Sequence, residues 1–236
     1  MKKGKLYLIP TRLGDNPPLE VLPISIKKII EDVDFYIVEN EKTARRFIKR
    51  ISPNKSQSLL HLKVLNKYTR AEERNTYLTP CNTGMSIGLL SEAGCPCIAD
   101  PGSEIVSLAH QMDIKIVPLV GPSSIILALM ASGLNGQNFA FNGYLPIDKN
   151  ERKSKLKALE RLSYNQKQAQ IFIETPYRSM SLLEDLVKIL LPTTKICIAC
   201  DLTLPTEYIK TKSADQWKNN KEHFHKRPTI FIIQKE

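Results

Sequence analysis

Residues 91–102, SEAGCPCIADPG, place two Gly, two Pro, two Cys, Glu92 and Asp100 directly after the apolar run MSIGLL. Gly94 lets backbone approach a ligand with no Cβ in the way, and Pro96 fixes the turn. The N–H and C=O groups released there can read a polar small molecule. Asp100 ahead of Pro101 also has the spelling of a helix N-cap with Pro at N1. Four more apolar runs finish in small or turn residues: LIPT (8–11), VGPSS (120–124), FIETP (172–176) and CDLTLP (200–205). In GPSS, Pro122 suits a first helical turn, and Ser123 and Ser124 offer hydroxyls beside unpaired N–H groups, a seat for a carboxylate or phosphate. Ligands of open α/β sheets sit outside the carboxyl ends of the strands, so these endings are the places where binding chemistry is expected.

Other chemistry is harder to place. The five cysteines are odd in number and lie in apolar or loop sequence, which argues against a disulfide framework. Cys197 and Cys200 spell C-x-x-C inside a β-branched run that reads as a strand, where residues three apart face opposite ways; no metal site is expected. There is no P-loop, no G-x-G-x-x-G after the first apolar run and no H-E-x-x-H, which disfavours nucleotide hydrolysis, an ordinary dinucleotide site and zincin chemistry. The four His are scattered, with His223 and His225 in a basic, surface-type stretch.

The elements that must carry these endings alternate. Apolar runs KLYLIP, DFYIVEN, MSIGLLS, IKIVPLV, FAFNGYL, AQIFIET, KICIACDL and TIFIIQK are separated by segments with apolar spacing near 3.6, such as ISIKKIIEDV, GSEIVSLAHQ and YRSMSLLEDLVKIL. This is an α/β pattern, and the first half suits a parallel sheet. VPLVGPSS lies midway, so the expected domains are 1–118, mostly parallel, and 119–236, with a mixed sheet. At 236 residues and 42% hydrophobic the chain can bury a real core. No apolar run approaches the roughly 20 residues of a membrane span, and the start is too short in apolar residues for a signal peptide, so a cytoplasmic protein is expected. The formal charge of +10 concentrates in TARRFIKR (43–50), KNERKSKLKALER (149–161) and KNNKEHFHKR (218–227). Such runs read as solvated helix faces and, alternatively, as a footprint for a polyanion.

The ordered series SEAGCPCIADPG, VPLVGPSSIILALMASGL, FNGYLP and FIETPYR resembles the tetrapyrrole methylase superfamily of S-adenosylmethionine-dependent methyltransferases. Within it, the series is most similar to the small-subunit ribosomal RNA methyltransferase I branch, which methylates a cytidine 2′-hydroxyl. ENEKTARRF stands where that branch has an E-D-T-R-type segment. The chain departs from the branch in its IPTRLGDNPPLEVLP opening, in SEAGCP for S-D-A-G-T-P, and in ending at Glu236 where the branch carries a further small domain.

The resemblance implies two α/β domains with S-adenosylmethionine in a cleft between them, and a homodimer. It implies that Ala93, Gly94, Cys95 and Pro96 lie against the cofactor, that Ile98 and Asp100 line its site, and that Pro10 closes the floor. Further contacts carried over are Ser123, Ser124, Glu174, Thr175, Pro176, Leu202, Thr203, Thr229 and Ile230. For a ribose hydroxyl acceptor, Glu92 and Asp100 are the expected catalytic carboxylates, with Glu39 and Glu41 as further candidates that read more readily as surface or capping residues. Arg45, Arg46 and Lys49 are the expected RNA contacts.

Overall fold

The computed structural model describes residues 2–236, which fall into two compact units, the first ending at Ser123 and the second running Ser124–Glu236.

The first unit runs β1 (Lys5–Ile9), α1 (Ile24–Asp32), β2 (Phe35–Val38), α2 (Glu41–Ile51), β3 (His61–Val64), α3 (Ala71–Arg74), β4 (Ile87–Leu90), α4 (Ser103–Gln111) and β5 (Lys115–Pro118). The sheet order is β3-β2-β4-β1-β5 and every pairing is parallel. All five carboxyl ends therefore share one edge. Side-chain alternation sends Ile9, Tyr36, Val38 and Leu90 to a core under α1 and α2, and Leu6, Ile37, Ile87 and Leu89 to one under α4. With both faces covered, β4 is buried at all four positions, which is why IGLL carries no polar residue. From β2 the chain moves out to the edge strand β3, whereas from its neighbour β4 it crosses to β5. These opposite departures make the β2/β4 boundary a topological switch point.

The second unit runs α5 (Ser124–Ser132), β6 (Phe139–Tyr144), α6 (Lys149–Gln166), β7 (Ala169–Glu174), α7 (Ser179–Ile189), β8 (Lys195–Cys200), β9 (Tyr208–Ser213), α8 (Ala214–Trp217) and β10 (Thr229–Gln234). Its order is β6-β7-β10-β8-β9, with β6 parallel to β7 and the other pairs antiparallel. Leu156 and Leu159 of α6 and Leu182 and Leu186 of α7 pack with Phe172, Phe231 and Trp217. Asp148 caps α6 by accepting from the N–H groups of Asn150 and Glu151. Cys197 and Cys200 are both buried in β8, three apart and so on opposite faces.

Eight strands coincide with the eight apolar runs. The other two, β3 and β9, occupy sheet edges, where HLKV and YIKTKS mix charge into the strand and leave no buried run to read. Among the described residues no helix is long and apolar enough to cross a membrane.

Candidate functional site

Three strand ends of the first unit interlock. Past β1, the Thr11 N–H donates to the Gly94 carbonyl at 3.0 Å, which also accepts from Ser91 Oγ, and that hydroxyl lies 3.4 Å from Thr11 Oγ1. Gly94 has φ +79°, and a Cβ there would sit 3.1 Å from Leu13 Cδ2 and 3.2 Å from the Pro122 carbonyl oxygen. Pro10 packs on Gly121 so closely that a Cβ at 121 would lie 2.3 Å from the proline's Cβ. Cys95 Sγ is 3.4 Å from the Pro122 oxygen. Pro10 thus packs on Gly121, and Gly94 and Cys95 on Pro122. Beside them opens a cavity of about 220 Å³, lined by Thr11 to Asp15 after β1, by Thr43, Arg46 and Phe47 of α2, and by Leu90, Ser91 and Glu92 at the end of β4. It opens at the switch point, where the strand order says a ligand belongs.

Carboxylates dominate the electrostatics. Glu39, just past β2, accepts from the Glu92 backbone N–H, while its Oε1 is buried without a partner among the described residues. Glu92 in turn accepts from Thr43 Oγ1 at 2.6 Å. The N-cap reading of Asp100 is corrected: α4 starts at Ser103 behind Gly102, because Gly102 turns the chain at φ +128° after Pro101. Asp100 is left half-buried, with Oδ2 unpartnered among the described residues. No ion pair among the described residues involves any of these three carboxylates. Burial, and then the charge of Glu92, push the Asp100 carboxyl up to about 6. Glu39 is raised by burial, then by Asp100 and Glu92. The loop that carries Asp100 holds Cys97 at φ 66° and Ala99 at φ 61°, left-handed conformations that cost about 1–2 kcal/mol per residue without glycine. Half-buried carboxylates that form no ion pair suit a cationic ligand.

The remaining expected residues are distributed as follows. Ile98 is 53% exposed. Arg46 lines the cavity, but Arg45 is bound to Glu41 at 2.8 Å and to the Gln57 carbonyl, and Lys49 to the Pro53 carbonyl. Glu41 is thus an exposed ion-pair partner on the first turn of α2. In the second unit, Glu174, Thr229 and Cys200 stand side by side in the register of β7, β10 and β8, bringing the carried-over residues 174–176, 202–203 and 229–230 to one end of that sheet. Glu174 is neutralised there by Arg178 at 2.6 Å, and Thr203 Oγ1 is buried without a partner among the described residues. Ser124 opens α5. His225 meets Tyr177 edge-on at 6.1 Å. A G-x-S-x-G spelling, GMSIG at 84–88, enters β4 instead of leaving a strand; Ser86 Oγ accepts the Lys5 N–H at 3.1 Å, so it forms no nucleophile elbow. Thr11, Ser91 and Thr43 were not expected at the site. Their only sequence signal is their position one to five residues past apolar runs.

Residues 5–217 match the family described as Tetrapyrrole (Corrin/Porphyrin) Methylases. The chain is 28% identical over 235 residues to a protein of Escherichia coli O157:H7 named ribosomal RNA small subunit methyltransferase I, covering 98% of this chain and 78% of that one. A protein of the same name from Vibrio cholerae is 30% identical over 205 residues, 87% and 67% of the two chains. Among solved structures, a uroporphyrin-III-C-methyltransferase from Thermus thermophilus superposes with a TM-score of 0.56 at 14% identity, and a cobalt precorrin-4 methyltransferase with 0.60 at 15%, each over 98% of this chain and 94% of the other. The family match spans 5–217, and the fold of the solved structures agrees with it: the chain belongs to the tetrapyrrole methylase family.

Proposed function

We propose that the protein transfers a methyl group from S-adenosylmethionine to a ribose 2′-hydroxyl of small-subunit ribosomal RNA. The observation that carries the cofactor assignment is the trio Glu39, Glu92 and Asp100, three carboxylates that form no ion pair among the described residues. S-adenosylmethionine bears a sulfonium and an ammonium, and when bound it supplies a methyl electrophilic enough for direct displacement. The residues of this chain fit that group. The backbone of residues 93–96, braced by Pro10 and opened by Gly94, offers N–H and C=O groups to its polar parts, and the carboxylates offset its positive charge. Ile98 and Asp100 border the same loop. Ser123, Ser124, Glu174, Thr175, Pro176, Leu202, Thr203, Thr229 and Ile230 are proposed cofactor contacts on the family likeness, and the buried, unpartnered Thr203 hydroxyl supports theirs.

The chain's part in transfer is to hold the hydroxyl in line and take its proton. Asp100, raised to about 6, titrates near neutrality, the range useful to a base; Glu92, whose charge acts on it, is exposed and accepts a hydrogen bond from Thr43 Oγ1. We assign proton acceptance to this pair. The RNA acceptor is supported by the relatives' names and by the net charge of +10, which adds phosphate affinity independent of sequence. The family likeness also supports a homodimer. The test is transfer of labelled methyl from S-adenosylmethionine to small ribosomal subunits, free RNA and cell-extract metabolites in parallel. Label in the small subunit is expected; label only in a metabolite overturns the RNA acceptor.

A further inference from the structure

We infer that the turn following β3 is a docking element for RNA, with Tyr68 stacking on an unpaired base and Lys67 and Arg70 taking phosphates next to it. The inference rests on the RNA reading above and names the part of the first unit that holds the substrate.

Position comes first. β3 lies beside β2, and β2 beside β4, so at about 4.8 Å per strand the turn begins roughly 10 Å from the end of β4 on the edge that carries Glu92. An ion pair at 2.6 Å between Arg74 and Glu104 ties α3 to α4, the helix into which the Asp100 loop runs. The turn therefore flanks the crevice.

Its construction comes second. The Thr69 N–H donates to the Asn66 carbonyl at 3.0 Å, the Asn66 N–H to Thr69 Oγ1 at 3.0 Å, and the Tyr68 N–H to Asn66 Oδ1 at 2.9 Å. Thr69 Oγ1 and Tyr77 Oη both donate to the Val64 carbonyl, at 3.2 Å and 2.6 Å. Five hydrogen bonds thus fix a turn whose tip, Tyr68, is 78% exposed. Tyr68 adds nothing to either core of the unit, so the bracing serves the presentation of its ring. The Lys67 ammonium covers one ring face at 4.9 Å and leaves the other to solvent. Lys67 and Arg70 are exposed and make no ion pair among the described residues. In this they differ from Arg45 and Lys49, whose side chains are already engaged. A braced, open aromatic face flanked in sequence by two cations that form no ion pair among the described residues matches an unstacked base between two phosphates.

Methyl transfer to small subunits, read as KM and kcat for the full chain, tests this with Tyr68→Ala, Tyr68→Phe and the double variant Lys67→Gln/Arg70→Gln. Tyr68→Ala should raise the KM for subunits about 5- to 150-fold, the range for losing one stacked base, with kcat, melting temperature and S-adenosylmethionine affinity unchanged. Tyr68→Phe keeps the stacking face and should behave as wild type. The double variant should flatten the slope of log affinity against log salt by about 1.4, or 0.7 per lost phosphate contact on a single strand. A wild-type KM in Tyr68→Ala, or a loss in kcat alone, overturns this inference and leaves the function intact. Absence of transfer to subunits and free RNA by the wild type overturns the function as well.

Discussion

Asn at position 100 should make the protein more stable and a worse binder of its cofactor. The folded chain holds the Asp100 proton up to about pH 6, against an ordinary value of 3.8. Between those values the folded state binds more protons than the unfolded one, so stability falls as pH rises through the window and stays reduced above it. A rise of about 2 in pKa corresponds to about 3 kcal/mol; discounted for a carboxyl that solvent partly screens, about 1–2 kcal/mol remains. Asp100→Asn removes that penalty, so at pH 7.5 the variant should melt about 2–8 °C above wild type. At pH 3.5, where Asp100 is mostly protonated in both states, the difference should vanish. Calorimetry at pH 7.5 should show S-adenosylmethionine bound about 10- to 150-fold more weakly, the cost of losing a charged hydrogen-bond partner. Equal melting shifts at both pH values would refute the electrostatic account, and wild-type affinity would refute the cationic ligand.

Other expectations follow from the same geometry. Wild-type affinity for S-adenosylmethionine should fall as pH drops below about 6, because the cation must displace the Asp100 proton; calorimetry across pH 5–8 measures it, and a flat profile contradicts it. Gly94→Val should abolish cofactor binding in the same calorimetry, since a branched residue resists φ +79° and its Cβ starts within 3.2 Å of the Pro122 oxygen. Arg46→Glu should weaken RNA binding in a salt titration, whereas Arg45→Glu and Lys49→Glu should act far less, since those cations are already engaged; equal effects of all three would sink that distinction. Chelator should leave thermal unfolding unchanged, and stoichiometric zinc in protein purified without added metal would overturn a metal-free fold.

How much of this was legible in the sequence depended on the distance over which each signal acts. Strand cores are local, and the eight apolar runs became eight strands; β3 and β9 escaped because an edge strand needs only one good neighbour and so tolerates Lys and His. Gly94 was legible because a Gly-Cys-Pro turn has few other uses. Asp100 misled: Asp-Pro spells a cap, but the φ +128° at Gly102 delays the helix, and that turn is visible only in three dimensions. The hydroxyls of Thr11 and Ser91 meet across 80 residues, and the Glu39 carboxylate finds its donor at Glu92; nothing in either segment announces the other. The basic helix α2 shows the same limit from the opposite side. Arg45, Arg46 and Lys49 are alike as a charge run, and only the placement of Glu41 and the 52–57 segment engages two of them and leaves Arg46 to the cavity. Residue types therefore marked the strand ends beside which the cavity opens, while the charge state of the candidate site, on which the proposed cationic cofactor depends, came from pairings that the sheet order alone creates.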